Sequence, residues 1–369
     1  MQIADFAIER YFARWEFAAR YVLCASDVEP IAMAELLAMA DDDARDRWES
    51  LRLGYTESLG LPALRDEVAA LYPGLTADDV VMFAGAEEGV FLAMHALLAA
   101  HDHAVVVWPA YQSLHEVARS IGADVTFVPL NDNGWTFDVD AVAAAMRPST
   151  KVIVINFPHS PTGAQLSAEQ FERLVSIAEL HNVHLLADEV YRHLEHAGGA
   201  PLPTAAERTL LGVSLGVMSK AFGLAGVRIG WVATRDAALR ARLAALKDYT
   251  TICNSAPSEI LALIALRAKQ RLLARAHAIL RGNLTVLEQF FRANAERFTW
   301  VPPRAGSVCF PELVHGSIDD FSTQLVQREG VLLLPASRFG YAGNNFRLGF
   351  GRADMVDGLA RLEAFAHTV

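Results

Sequence analysis

The chain has 369 residues, 53% of them hydrophobic and 20% charged, which allows a large buried core, argues against disorder and predicts two lobes. A net charge of −11 with no basic run excludes nucleic acid as a natural partner. Three scattered cysteines (Cys24, Cys253, Cys309) without C-x-x-C spacing argue against a disulfide framework and a zinc site, and fit a reducing cytoplasm.

Residues 1–20 read as an amphipathic helix; Asp5, Glu9, Arg10 and Arg14 interrupt any apolar run, so this start does not look like a signal peptide. Residues 21–30 (YVLCASDVEP) read as irregular, and a second helix is expected from about Ile31. Short apolar runs at 80–84, 104–108, 125–129, 152–157 and 183–188 then alternate with helical patterns, one opened by the capping-box residues Ser167 and Gln170. Such alternation predicts an α/β architecture with a mostly parallel sheet buried on both faces. A long helix over about 259–294, strands at 307–310, 331–334 and 345–350, a helix capped at Ser317 and a last helix predict a smaller α+β lobe. The expected division is an arm at 1–44 associated with the small lobe, a large domain at 45–250 and a small domain at 251–369. No stretch of 18 apolar residues occurs, so no membrane span is expected.

Ligands of open α/β sheets bind beyond the carboxyl ends of the strands, so the chemistry is sought there. Lys220 follows the apolar run LLGVSLGVM and Ser219, among small residues. A desolvated lysine becomes a nucleophilic amine, although a surface lysine in a glycine-rich loop has the same sequence. Arg228, eight residues on, could hold an anion such as phosphate. Asp188 ends the run VHLLAD and needs a cationic or donor partner, with Tyr191 close behind; an ion pair and a packed tyrosine are the alternative. Asn156 and Ser160 flank a turn completed by Pro161-Thr162-Gly163. Gly85-Ala86-Glu87 sits where a strand meets a helix start, a natural anion site or mere packing. Tyr111 either covers a flat ligand or belongs to the core, and Arg347 is an odd charge in an apolar strand, suited to clamping a carboxylate. The twelve histidines show no metal-ligand spacing, and no G-x-S-x-G or complete G-x-G-x-x-G occurs.

Taken in order, Gly54-Tyr55, Gly60, Leu64-Arg65, Gly85-Ala86-Glu87, Pro109-Ala110-Tyr111, Asn156 with Pro161-Thr162-Gly163, Asp188-Glu189-x-Tyr191, Ser219-Lys220, Arg228 and Arg347 resemble the fold-type I pyridoxal-phosphate enzymes of the class I/II aminotransferase family. The resemblance runs from about Gly54 to the C-terminus. It implies pyridoxal 5'-phosphate as cofactor and amino-group exchange between an L-amino acid and a 2-oxo acid. Lys220 would be the Schiff-base lysine and proton carrier, Asp188 the partner of the pyridine nitrogen and Tyr191 that of the ring hydroxyl. The backbone amides of Ala86 and Glu87, with Ser219 and Arg228, would hold the phosphate. Tyr111 would stack on the ring, Asn156 would contact the cofactor and Arg347 would bind the substrate carboxylate. Tyr55 would reach the phosphate of a neighbouring subunit, implying a homodimer with shared sites.

One position departs from the pattern: the family's usual Asn directly before Pro-Thr-Gly is Ser160 here. A shorter side chain with a single hydroxyl alters carboxylate binding or cofactor tuning, so another reaction on the same cofactor (oxidase, lyase or cyclase) stays open. The chain is also similar, more loosely, to a subgroup acting on arginine. There Asp27 and Glu29 would receive a basic side chain, a solvated acidic loop being the alternative.

Overall fold

The computed structural model describes residues 2–196 and 199–368. Its centre is a seven-stranded sheet made of β1 (Val80–Phe83), β2 (His103–Trp108), β3 (Asp124–Pro129), β4 (Thr150–Asn156), β5 (His184–Asp188), β6 (Gly212–Val217) and β7 (Gly230–Ala233). The spatial order is β1-β7-β6-β5-β4-β2-β3, with β7 antiparallel to both its neighbours and the other pairs parallel. Period-two alternation works on both faces: Val106 and Val154 join one apolar cluster while Val105, Val107, Ile153 and Ile155 join the other. The one polar side chain at the start of β2, His103, is fully buried and satisfied by the hydroxyls of Thr150 (2.7 Å) and Thr126 (2.8 Å).

The first five strands follow the apolar runs of the sequence. The helix after β4 (Ala168–His181) starts as expected, with Ser167 and Gln170 capping each other's backbone N–H groups. Three expectations change. The N-terminal helix α1 covers only Ala7–Trp15. The segment read as irregular contains a short strand, Tyr21–Val22, that pairs in parallel with Val331–Leu332, a partnership invisible to local patterning. The long C-terminal helix is two helices, Ala256–Arg267 and Lys269–Ala293, joined at the non-helical Ala268. The first is buried nearly all round; the second buries one stripe (Leu272, Ala276, Leu280, Leu287), so the two pack against different surroundings. The strand Phe346–Gly349 lies between Val308–Cys309 and Leu334–Pro335.

The sheet order reverses direction between β4 and β2: the connection after β2 leads to one side and that after β4 to the other. That crevice, at the carboxyl ends, is where an open α/β sheet binds its ligand. Asn156 and Asp188 are the last residues of the adjacent strands β4 and β5 and lie in register with each other.

Candidate active site

A cavity of about 460 Å³ opens at these strand ends. Its floor is built from β4, β5 and the loop after β6. Asn156 donates from Nδ2 to the Asp188 carbonyl (2.9 Å) and accepts through Oδ1 from the Ser160 backbone N–H (2.9 Å). Both ends of its amide are therefore used to lock the turn 156–163 onto β5. The turn itself depends on Gly163: φ is +72°, and a Cβ there would stand 2.4 Å from Pro303 Cβ and 2.7 Å from the Val308 carbonyl oxygen. Ser160, 7% exposed, lines the cavity.

Asp188 is also 7% exposed, and among the described residues its Oδ1 accepts only from the Val190 N–H, at 3.2 Å. Burial pushes its carboxyl up to about 6, against the opposing pull of that hydrogen bond and of Lys220. Lys220 reaches into the same space, donates from Nζ to Ser26 Oγ at 2.8 Å, and lies 5.6 Å from the ring centroid of the buried Tyr191. Ser26 is a contact across 194 residues of sequence.

The anion end is the turn between β1 and helix α2 (Ala86–Leu97). Gly85, at φ +91°, lets the Arg228 guanidinium close on the turn, since a Cβ would lie 2.6 Å from Nη2. Glu88 folds back to accept from the Ala84 N–H (2.7 Å), and Ala86 and Glu87, in the first turn of the helix, line the cavity. Ser219 lines the cavity beside them. Glu87 is an exposed residue on the cavity lining, and its carboxylate accepts from Ser113 Oγ at 3.0 Å.

On the opposite wall Arg347 is 3% exposed; its Nε donates to the Cys24 carbonyl at 3.0 Å, and its guanidinium rests against the rings of Phe12 and Phe339. Tyr111 lines the cavity and donates from its hydroxyl to Glu9 Oε1 at 2.8 Å, which ties the loop after β2 to α1. Burial, then Glu87 and Glu9, holds its phenol well above the usual range.

One cavity thus gathers Lys220, Asp188, Tyr191, Asn156, Ser160, Ala86, Glu87, Tyr111, Ser219, Arg228 and Arg347, the candidates named from sequence, Tyr55 excepted. Tyr55 is 92% exposed and lies outside it. Sequence reasoning did not single out Glu9, Glu16, Ser26 or Arg352 as site residues, yet all four line it. Asp27 and Glu29 do not stand ready for a basic ligand: Asp27 pairs with Arg352 (2.9 and 3.1 Å) and Glu29 accepts from the Ala353 N–H (3.0 Å).

The model of the family "Aminotransferase class I and II" matches residues 38–361. The chain belongs to this family. It is 31% identical to capreomycidine synthase of Streptomyces vinaceus over 98% of its own length and 92% of that enzyme's. It is 30% identical to an arginine–pyruvate transaminase of Pseudomonas aeruginosa over 80% of its length and 77% of the relative's. Among solved structures, a PLP-dependent aminotransferase of Streptococcus suis superimposes with a TM-score of 0.93 at 30% identity, covering 100% of this chain and 99% of that one. A PLP-dependent cyclase, OrfR, does so with 0.91 at 29% identity, covering 100% and 98%.

The cofactor of this class I/II family member is pyridoxal 5'-phosphate, and the residues present fit it. The Gly85 turn with Arg228 forms a cradle that any larger residue would fill, suited to a phosphate. A buried carboxylate with one hydrogen bond, Asp188, suits a protonated pyridine nitrogen. A lysine amine stands in the same cavity.

Proposed function

We propose that the protein is an aminotransferase that moves an amino group between an L-amino acid and a 2-oxo acid. The observation that carries this reading is the single cavity in which Lys220, Asp188, Arg228 and Arg347 converge. Bound there, the cofactor supplies an electron sink that weakens the bonds at the substrate's α-carbon. The protein's share is orientation, electrostatics and proton movement. Arg228, Ser219 and the amides of Ala86 and Glu87 would hold the phosphate, and Asp188 as a carboxylate would partner the ring nitrogen. Tyr191 would donate to the ring hydroxyl, and Tyr111 would lie against the ring. Arg347, held by the Cys24 carbonyl, takes the substrate carboxylate as a planar pair of hydrogen bonds. Lys220 Nζ is the cavity's amine and moves the proton at the α-carbon. Helix α1 contributes Glu9, Phe12 and its C-cap Glu16 to the cavity lining. The reading includes a homodimer in which Tyr55 serves the partner's phosphate.

A second reading, a cyclase, lyase or oxidase acting through the same Lys220, is favoured by one specific feature, Ser160 in place of the family's Asn. The similarity to a cyclase and to capreomycidine synthase over nearly the whole chain supports it. The two readings separate in one assay. The holoenzyme is given each amino acid with a 2-oxo acid acceptor while oxygen and both product pools are followed. Equimolar formation of a new 2-oxo acid and a new amino acid, without oxygen uptake, is the expected result. Oxygen consumption, ammonia release or an isomeric product with no acceptor used up would overturn transamination in favour of the second reading.

A further inference from the structure

The arginines of the cavity are accounted for, but two of its carboxylates face it without a cationic partner among the described residues. Arg352 is held by Asp27, Arg347 by the Cys24 carbonyl and the rings of Phe12 and Phe339, and Arg228 by the Ala225 carbonyl and the Gly85 turn. Glu9, Phe12 and Glu16 recur at spacings of three and four residues, so they share one face of α1, and all three line the cavity. Glu9 accepts a hydrogen bond only from the Tyr111 hydroxyl, and Glu16 has no ion-pair partner among the described residues.

Glu16 is placed against its own electrostatics. It is the C-cap of α1, where the helix dipole disfavours an anion. It is half-buried, with Glu9 and Asp27 as like-charged neighbours, and these raise its carboxyl above the ordinary range against the pull of Arg352 and Arg347. Once a substrate carboxylate occupies Arg347, that relief is partly lost. A second, independent sign that this cavity takes a ligand is Ser160 on its floor, more than nine-tenths buried yet lining the same space with a hydroxyl for which no hydrogen bond is made among the described residues.

We infer that the substrate carries a positively charged side chain, a guanidinium or an ammonium group, received by Glu9 and Glu16 on the inner face of α1 with Phe12 between them. The inference rests on the cavity being an amino-acid site. A cation there restores charge balance, gains charge-assisted hydrogen bonds from two carboxylates, and can lie on the Phe12 ring. A neutral side chain of the same length leaves the half-buried Glu16 without a partner and Glu9 with the Tyr111 hydroxyl alone, and an acidic one adds repulsion. Helix α1 thus acts as the specificity element. Its position is set by the Tyr111 hydroxyl on Glu9 and by Gln112, which accepts from the Ala7 N–H (2.8 Å) and donates to the Asp5 carbonyl (2.9 Å).

The test uses the holoenzyme and matched ligand pairs: L-arginine against L-citrulline, its uncharged isostere, and L-lysine against L-norleucine. Each is titrated at pH 8 while the absorbance of the bound cofactor is followed. At least one basic member is expected to bind about tenfold or more tighter than its neutral match, as one or two charge-assisted bonds would give. Added salt should weaken that member alone, and the preference should fall below about threefold in E9Q/E16Q. Equal affinity within both pairs, or an undiminished preference in the double variant, overturns the specificity while leaving the amino-acid reading intact. No absorbance response to any of the four ligands overturns both.

Discussion

Asp188 shows the cost of the site at the level of a single residue. Its carboxyl titrates near 3.8 when unfolded and near 6 when buried. A raised acid pKa makes the folded state bind its proton more tightly, so the cost to stability is absent below about pH 4, grows through pH 4–6 and is complete above pH 6. The shift corresponds to about 3 kcal/mol. Asp188→Asn should therefore make the cofactor-free protein more stable in urea at pH 8, by up to that amount, with the gap closing at pH 4. The same variant should lose roughly 10²–10³-fold in turnover, because an amide cannot stabilise a protonated ring nitrogen as a carboxylate does. A variant that is no more stable at pH 8, or that turns over normally, contradicts the role given to Asp188.

Ser160 gives a second residue-scale test. Asn156 spends both ends of its amide on the Asp188 carbonyl and the Ser160 N–H, so it is a strut of the turn and a poor substitute for the missing family asparagine. Ser160→Asn should extend a new donor into the cavity and tighten amino-acid binding by roughly 1–3 kcal/mol. Cofactor absorbance titrated against pH and against amino acid in both proteins checks this. Superimposable curves would make Ser160 a turn residue only.

At the scale of elements, what could be read from sequence depended on how local the cause was. The runs 104–108, 152–157 and 183–188 announce β2, β4 and β5 because strands buried on both faces are continuously apolar, and their ends place Asn156 and Asp188. The strand β7 has four residues and two antiparallel neighbours, so too little pattern marks it. Tyr21–Val22 is a strand only because Val331–Leu332 lies beside it. The same limit hid Ser26 and Glu16, which enter the cavity through contacts distant in sequence, whereas Lys220 and Arg228 were marked by the loop they share. The β1–α2 turn was legible as a glycine-containing helix start, and its demand for glycine is now explicit. Gly85→Ala must hold a left-handed φ and push on Arg228 Nη2, 2.6 Å from the new Cβ. The expected result is a cofactor dissociation constant raised about tenfold or more, with the circular dichroism of the cofactor-free protein unchanged, since one charged contact to the phosphate is displaced. Retention of cofactor like the wild type would show that this turn does not hold the phosphate.

For the whole molecule, one chain leaves two features without an explanation of their own. Arg228, the intended phosphate ligand, is exposed. Leu53, Tyr55 and Tyr249 are 85%, 92% and 91% exposed on loops joined by the Thr56 Oγ1 bond to the Asn254 carbonyl (3.2 Å). An apolar cluster of this kind fits an isologous interface, and a second copy that brings Tyr55 over Arg228 would account for both. Light scattering should then give twice the chain's 40.2 kDa. A sharper measurement asks whose site Tyr55 serves. Lys220→Ala and Tyr55→Ala homodimers should each be nearly inactive, the first for want of the amine and the second through loss of cofactor. In a mixed dimer one site carries both lesions and the other carries neither, if Tyr55 crosses to the partner. Random reassortment of equal amounts makes half the dimers mixed, so activity should return to about a quarter of the wild-type value. If Tyr55 acted within its own chain, every site in the mixed dimer would keep a lesion, and mixing would restore nothing.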